Sequence, residues 1–333
     1  MNAPPRRLIL LALSWLLVLP GQAGKPPADP LAEFLGKLGY VRVELTRVPI
    51  PRRDWPAEGN DLYLNAQVDG RKQRWLLDTG CSVTRLNTSA GKQLKTLAVL
   101  RRRVKDPILG TVGGTNFVLI RELQLGPMLL ENQPVQVGSL DNRRFLANED
   151  ALLGLDLLRR HYALIDFLGR GLFLRAQEPT AENIAAVDEV MRQSGWSAVP
   201  LKTDRSLCLF AEVRVQGEPL RFLVDSGCTF TQLDLAVAKR LGLKLDFMHL
   251  ATAGIGDRLA DSYQTRVSLF QLAGLSLTNA PVAVADLTPW QSKHGPPIDG
   301  VIGADWLGLG RGVLDCDAQR LYLTPLYEPK KNH

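Results

Sequence analysis

Short apolar runs broken by glycine recur along this chain, and their length predicts strands. "FVLIRELQLG" (117–126), "QPVQV" (133–137), "YALIDF" (162–167) and "GLFLR" (171–175) are rich in Val, Leu and Phe, and counterparts lie in the second half. Two segments carry a helical pattern instead. In "EPTAENIAAVDEVMRQSG" (178–195), Pro179 and Thr180 open the helix, apolar residues recur at Ile184, Val187, Val190 and Met191, and Gly195 closes it. "LDLAVAKRLGL" (233–243) predicts a shorter one. Short strands at close intervals with little helix predict small β domains, and 333 residues are enough for two.

The N-terminus has a different pattern. Arg6 and Arg7 precede "LILLALSWLLVL", and small residues follow at Gly21 and Ala23. This reads as a secretory signal, residues 1–23, cut near Ala23. The run falls short of the roughly 20 apolar residues that span a bilayer, and no later stretch is longer, so no stable membrane insertion is expected after cleavage. The mature chain is expected outside the cytoplasm, in the periplasm or secreted.

The pattern also repeats. "DLYLNAQVDGRKQRWLLDTGCSVTRLN" (61–87) is echoed by "LCLFAEVRVQGEPLRFLVDSGCTFTQLD" (207–234): a turn glycine (Gly70, Gly217), an apolar run, an acid (Asp78, Asp225), a hydroxyl, a glycine and a cysteine. The echo resumes where "ALLGLDLLRRHYALIDFLGRGLFL" (151–174) matches "GVIGADWLGLGRGVLDCDAQRLYL" (300–323). Asp78 and Asp225 are 147 positions apart; Gly154 and Gly303, and Asp166 and Asp315, are 149 apart. "LGKLGYVRVELT" likewise resembles "MRQSGWSAVPLK" upstream. The chain after the signal therefore reads as a tandem duplication, 30–176 and 177–328. The first copy alone carries "RVPIPRRDWP", whose prolines and charges predict a surface loop.

A lone Asp-Thr-Gly is an ordinary turn. Two of them in related halves imply more, because equivalent positions meet near a pseudo-twofold axis. Asp78 and Asp225 would then be adjacent carboxylates sharing one proton, one able to take a proton from water while the other gives one to a carbonyl oxygen. Gly80 and Gly227 allow close backbone approach, and Thr79 and Ser226 can hydrogen-bond across the axis.

"LLDTGCS" and "LVDSGCT", each followed by an apolar-apolar-Gly segment ("LLG" 152–154, "VIG" 301–303), resemble the two active-site signatures of clan AA aspartic proteases, closer to the retropepsin-like bacterial and retroviral type than to pepsin. The resemblance covers nearly the whole mature chain. It implies a mainly β fold: two retropepsin-like closed β-barrel domains in tandem, arranged as a bilobal, pepsin-like pseudo-dimer within one monomer, with the active site between the lobes. It also implies a dyad of Asp78 and Asp225, support from Thr79, Gly80, Ser226 and Gly227, and a peptide or protein substrate hydrolysed without metal or other cofactor. Flaps are implied at "GTVGGTN" (110–116) and "ATAGIGDR" (251–258), with Gly113, Gly114, Gly254 and Gly256 as substrate-closing tips; plain hairpin turns are the alternative reading. A catalytically silent peptide-binding or scaffold protein of the same fold is the alternative function.

Composition changes this little. The formal charge is +6, and Arg6 and Arg7 leave with the signal. The run Arg101 to Lys105 reads as a solvated loop or as a preference for acidic partners, and nucleic acid is not an expected partner. No His-Glu-x-x-His helix, Gly-x-Ser-x-Gly elbow or phosphate-binding loop occurs, and His161, His249, His294 and His333 are scattered. Cys81 and Cys228 stand where pepsin-like enzymes often carry a hydroxyl. The weak S–H donor predicts a higher working pH, mildly acidic to near-neutral; a redox or metal role for the pair is the other reading. Cys208 and Cys316 are candidates for a bridge. Asp156, Asp305, Asp166 and Asp315 sit beside packing segments and read as structural.

Overall fold

The computed structural model describes residues 29–50, 59–94, 98–99, 104–106, 110–112, 117–138, 140, 149–204, 207–253, 259–273, 275–288 and 296–324. The N-terminal signal and the four glycines Gly113, Gly114, Gly254 and Gly256 lie outside these residues.

Two hairpins start the two halves alike. Asp69 and Gly70 (φ 47° and 80°) join Gly59–Val68 to Arg71–Leu77, and Gln216 and Gly217 (φ 52° and 87°) join Leu209–Val215 to Glu218–Val224. Two successive positive φ angles give the turn whose twist suits a tight hairpin, and glycine takes the second place without strain. The second strand of each hairpin changes character along its length. Gln73 is buried between exposed Lys72 and half-buried Arg74, whereas Trp75, Leu76 and Leu77 are all buried. The reason is pairing on both sides: Trp75, Leu76 and Leu77 run antiparallel to the hairpin partner and parallel to Ala151, Leu152 and Leu153. Phe222 to Val224 pair in parallel with Gly300 to Ile302 in the same way.

Each half closes into a six-stranded barrel. In the first, the order is Gly59–Val68, Arg71–Leu77, Ala151–Leu153, Arg85–Asn87, Met128–Gly138, Phe117–Leu125 and back to Gly59–Val68. In the second, it is Leu209–Val215, Glu218–Val224, Gly300–Ile302, Gln232–Asp234, Leu275–Ala285, Leu259–Leu272 and back. The fold is thus mainly β, two closed barrels in tandem with one strand order. Closure removes the barrel edges.

Residues 47–50 of "RVPIPRRDWP" depart from the loop predicted for the segment, and residues 51–56 lie outside the described residues. Thr46–Ile50 is a strand antiparallel to Gly59–Val68. It is the outermost strand of its sheet, where a proline without an N–H is tolerated.

A third sheet joins the halves: Val41–Glu44, Gly171–Leu174, Leu164–Asp166, Val313–Asp315, Arg320–Leu323 and Ser197–Pro200, in that order. Its middle seam pairs the halves directly, Leu164 with Asp315 and Asp166 with Val313. Alternation decides what each face covers. Leu164, Phe173, Val313 and Tyr322 pack under the helices Pro30–Lys37 and Ala181–Gln193 with Leu35, Val187 and Met191. Ile165, Leu172, Leu314 and Leu321 face the other way, into a core continuous with both barrels. The second helix begins as its sequence predicts, with Thr180 and Asn183 forming a reciprocal capping box. No helix among the described residues is long and apolar enough to cross a membrane.

Asp315, at the end of this seam, accepts hydrogen bonds from the N–H groups of Asp317 (3.2 Å) and Ala318 (2.8 Å). Burial nevertheless pushes its carboxyl up to about 6. A carboxyl harder to ionise when folded than when unfolded binds more protons in the folded state. Its contribution to stability is full below the ordinary value of 3.8 and is lost as pH rises through about 6. Between pH 4 and 7, the melting temperature of Asp315→Asn should fall less than that of the parent chain. Parallel curves would refute this account.

Candidate active site

Asp78 and Asp225 follow the two buried runs directly. The Asp78 N–H donates to the Leu153 carbonyl (3.1 Å) and the Asp225 N–H to the Ile302 carbonyl (3.0 Å), so the parallel pairing continues as far as each acid. The following turns close with N–H bonds from Cys81 to the Asp78 carbonyl (3.3 Å) and from Cys228 to the Asp225 carbonyl (3.2 Å). Each acid is thus anchored by a core strand on one side and a tight turn on the other.

The two turns face each other across the halves. Thr79 Oγ1 accepts from the Ser226 N–H (2.9 Å) and donates to the Val224 carbonyl (2.9 Å). Ser226 Oγ accepts from the Thr79 N–H (3.0 Å) and donates to the Leu77 carbonyl (2.8 Å). Both hydroxyl residues are fully buried, so four polar groups that burial would otherwise penalise are satisfied reciprocally. This lock leaves no room beside the glycines. A Cβ on Gly80 would stand 2.3 Å from Asp225 Cγ, and one on Gly227 would stand 2.6 Å from Asp78 Cγ. Each glycine lies against the carboxylate of the opposite turn, which brings the two carboxylates into one small space.

Backbone donors orient the acids. Asp78 Oδ1 accepts from the Cys81 N–H (3.0 Å) and Asp225 Oδ1 from the Gly227 N–H (2.8 Å). The cysteine thiols point elsewhere: Cys81 Sγ donates to the Val83 carbonyl (3.0 Å) and Cys228 Sγ to the Phe230 carbonyl (3.1 Å). Burial, then the neighbouring Asp78, pushes the Cys81 thiol up to about 12, and burial with Asp225 raises Cys228 well above its ordinary range. Neither is a ready thiolate. Cys208 and Cys316 are unbridged and pack in separate clusters, Cys208 near the site and Cys316 in the main core. Among the described residues, no group of three His, Cys, Asp or Glu side chains could hold a metal ion.

Beneath the turns lie "LLG" and "VIG". A Cβ on Gly154 would meet backbone atoms of Cys81, Val83 and Thr84 at 2.8 Å, and Gly303 is as close to Cys228, Phe230 and Thr231. Asp156 and Asp305 have a structural place here. Asp156 Oδ1 accepts from the Thr84 N–H and hydroxyl (2.7 and 2.6 Å), and Asp305 Oδ1 from those of Thr231 (both 2.8 Å). Thr84 Oγ1 and Thr231 Oγ1 in turn accept from Gly154 and Gly303, each at 3.0 Å.

Other neighbours of the site were not visible in sequence. The Thr229 hydroxyl, on the second turn, donates to Asp61 Oδ1 of the first half (3.0 Å), and the Cys208 thiol reaches the Gly80 carbonyl at 3.6 Å. Asp61 and Cys208 are 147 positions apart, so they are equivalent places in the two halves. Only that offset could have signalled them. Burial raises the Asp61 carboxyl above its ordinary range, the Thr229 hydrogen bond opposes that rise, and nearby Glu149 adds to it.

Residues 211–306, which hold the second turn and Asp305, match the family model described as aspartyl protease. A curated relative, DNA damage-inducible protein 1 of Neurospora crassa, is 29% identical over 126 residues, which are 35% of this chain. The aligned part is 26% of that relative's length, so the chain spans about a quarter of it. These two likenesses support an aspartic protease function for a chain whose second half carries the matched aspartyl protease segment.

Proposed function

We propose that this chain is an exported aspartic endopeptidase in which Asp78 and Asp225 act as a pair between the lobes. The observation that carries the reading is the reciprocal approach of Gly80 to Asp225 and Gly227 to Asp78 under the Thr79–Ser226 lock. Two carboxylates so close hold one proton between them. The ionised one removes a proton from water as the water oxygen bonds to the peptide carbon, and the protonated one gives its proton to the carbonyl oxygen. Collapse of the resulting diol breaks the C–N bond, with a proton passing to the leaving nitrogen. Thr79, Ser226 and the two glycines serve as support, and the segments around Gly113, Gly114, Gly254 and Gly256 as flaps over the peptide.

The two halves, 30–176 and 177–328, are read as copies of one retropepsin-like unit in a monomer, matured by removal of residues 1–23 and released to the periplasm or the medium. Incubating the mature protein with a peptide mixture, with and without pepstatin, across pH 3 to 8 tests the reading. Cleavage that pepstatin suppresses, with an optimum at mildly acidic to near-neutral pH, is expected. Peptide binding without cleavage at any pH would point to the silent scaffold, and an optimum near pH 2 would refute the role assigned to Cys81 and Cys228.

A further inference from the structure

The two halves differ where their barrels border the paired turns. In the first half, Asp61 accepts from Thr229, four positions after Asp225 on the second turn. Beside it, the Tyr63 hydroxyl donates to Glu149 Oε1 (2.9 Å), and Tyr63 packs with Cys81 of the first turn. The equivalent positions of the second half, offset by 147 or 149, are Cys208, Phe210 and Ile298. These three pack with Leu223, Leu287 and Val301 in an apolar cluster that Cys228 adjoins. The surrounding scaffold is the same on both sides. Arg74 lies over the Tyr63 ring at 3.7 Å and Arg221 over the Phe210 ring at 3.3 Å. The backbone N–H groups of these arginines donate to Asp150 (2.9 Å) and Asp299 (2.8 Å). Against that common frame, three positions have become acidic or hydroxylated on one side and apolar on the other.

The acidic side is also incomplete. Glu149 is 5% exposed, and its Oε2 is buried with no hydrogen-bond partner, although a buried carboxylate oxygen ordinarily has one. Asp61, 8% exposed, adds a second carboxylate, and among the described residues Arg74 is the cation that acts on it. In the second half Arg221 is paired with Asp204 at 2.6 Å, and no acid stands at the place of Asp61 or Glu149. Among the described residues, the first side therefore carries two carboxylates against one cation, with an acceptor left unfilled. A single added cation supplies what both lack.

We infer that the substrate cleft is polarised: Asp61, Tyr63 and Glu149 take a lysine or arginine side chain on one side of the reacting bond, and Cys208, Phe210 and Ile298 take an apolar side chain on the other. This rests on the peptidase reading for the position of the cleft. A long unbranched cationic side chain matches this chemistry, since its apolar stem can pack against Tyr63 while its tip meets the two carboxylates.

The test uses a positional peptide library in which each position carries lysine or norleucine. Cleavage rates are measured with the parent chain, and binding by competition with the Asp78→Asn form. At one position near the cut bond, lysine should be favoured about tenfold over norleucine in both assays. In Asp61→Asn/Glu149→Gln, and more weakly in Glu149→Gln alone, that ratio should fall towards one. Asparagine and glutamine retain acceptors for Thr229 and Tyr63, and matching melting curves confirm the folds. A lysine preference in binding that these variants lose, with no cleavage by the parent chain, would refute the peptidase reading and support this one. Absence of any lysine preference, or its persistence in the variants, would overturn the polarised cleft.

Discussion

Asp78→Asn and Asp225→Asn should each lower kcat for peptide cleavage by at least about 10³-fold, and the double variant should lose little more than either alone. An amide cannot take the proton from water, nor can it hold the proton that the partner acid must share. In the proposed mechanism the two acids act in one step, so removing the first leaves the second nothing to cooperate with and the losses overlap. Asparagine at position 78 still presents an acceptor to the Cys81 N–H, and at position 225 to the Gly227 N–H, so the turns should persist and melting curves should stay close to the parent's. Single-turnover assays on all three variants check this. A variant that keeps a tenth or more of the parent rate, or additive losses, would remove the pair as the reacting unit.

The contact between the two turns was legible because the Asp-hydroxyl-Gly pattern is carried twice in the chain. An acid directly after an all-buried run is unusual once, and the second occurrence supplies both a partner and an axis. The strands were legible for a related reason: Trp75–Leu77 and Phe222–Val224 read as core because each is flanked by neighbours on both sides. What lacked a repeated signal was not legible. Asp61, Tyr63 and Glu149 look like ordinary strand and loop residues, since their meaning comes from packing against a turn of the other half. Thr46–Ile50 was hidden by its proline, which argues against a strand in general and loses that force at an outermost one. Thr84 and Thr231 carry no signal in the sequence, because a threonine just before a strand needs no explanation, although each joins a buried aspartate to a glycine beneath the turns.

The glycines at the centre of the site yield the second large effect. Gly80→Ala places a methyl carbon 2.3 Å from Cγ and Oδ2 of Asp225 and 2.6 Å from its Oδ1, where non-bonded carbon atoms ordinarily rest about 3.5–4.0 Å apart. Something must move by about an ångström. The Gly80 backbone is poorly placed to do so, because adjacent Thr79 is tied to Ser226 and Val224. The yielding part is then the Asp225 carboxylate, which leaves its Gly227 N–H and its partner acid. Displacement on that scale costs a positioned catalyst about 10²-fold or more, so kcat should fall by at least that much in Gly80→Ala, and similarly in Gly227→Ala, whose added carbon meets Asp78 at 2.6 Å. Gly217→Ala is the contrasting case. Nothing lies within 4 Å of its added carbon, but its φ of +87° strains any side chain, so it should cost about 1 kcal/mol of stability and leave kcat nearly untouched. Measuring kcat and unfolding free energy for the three variants separates the effects. If Gly80→Ala were to keep the parent's kcat while Gly217→Ala lost it, the close approach of the two turns would have no part in catalysis.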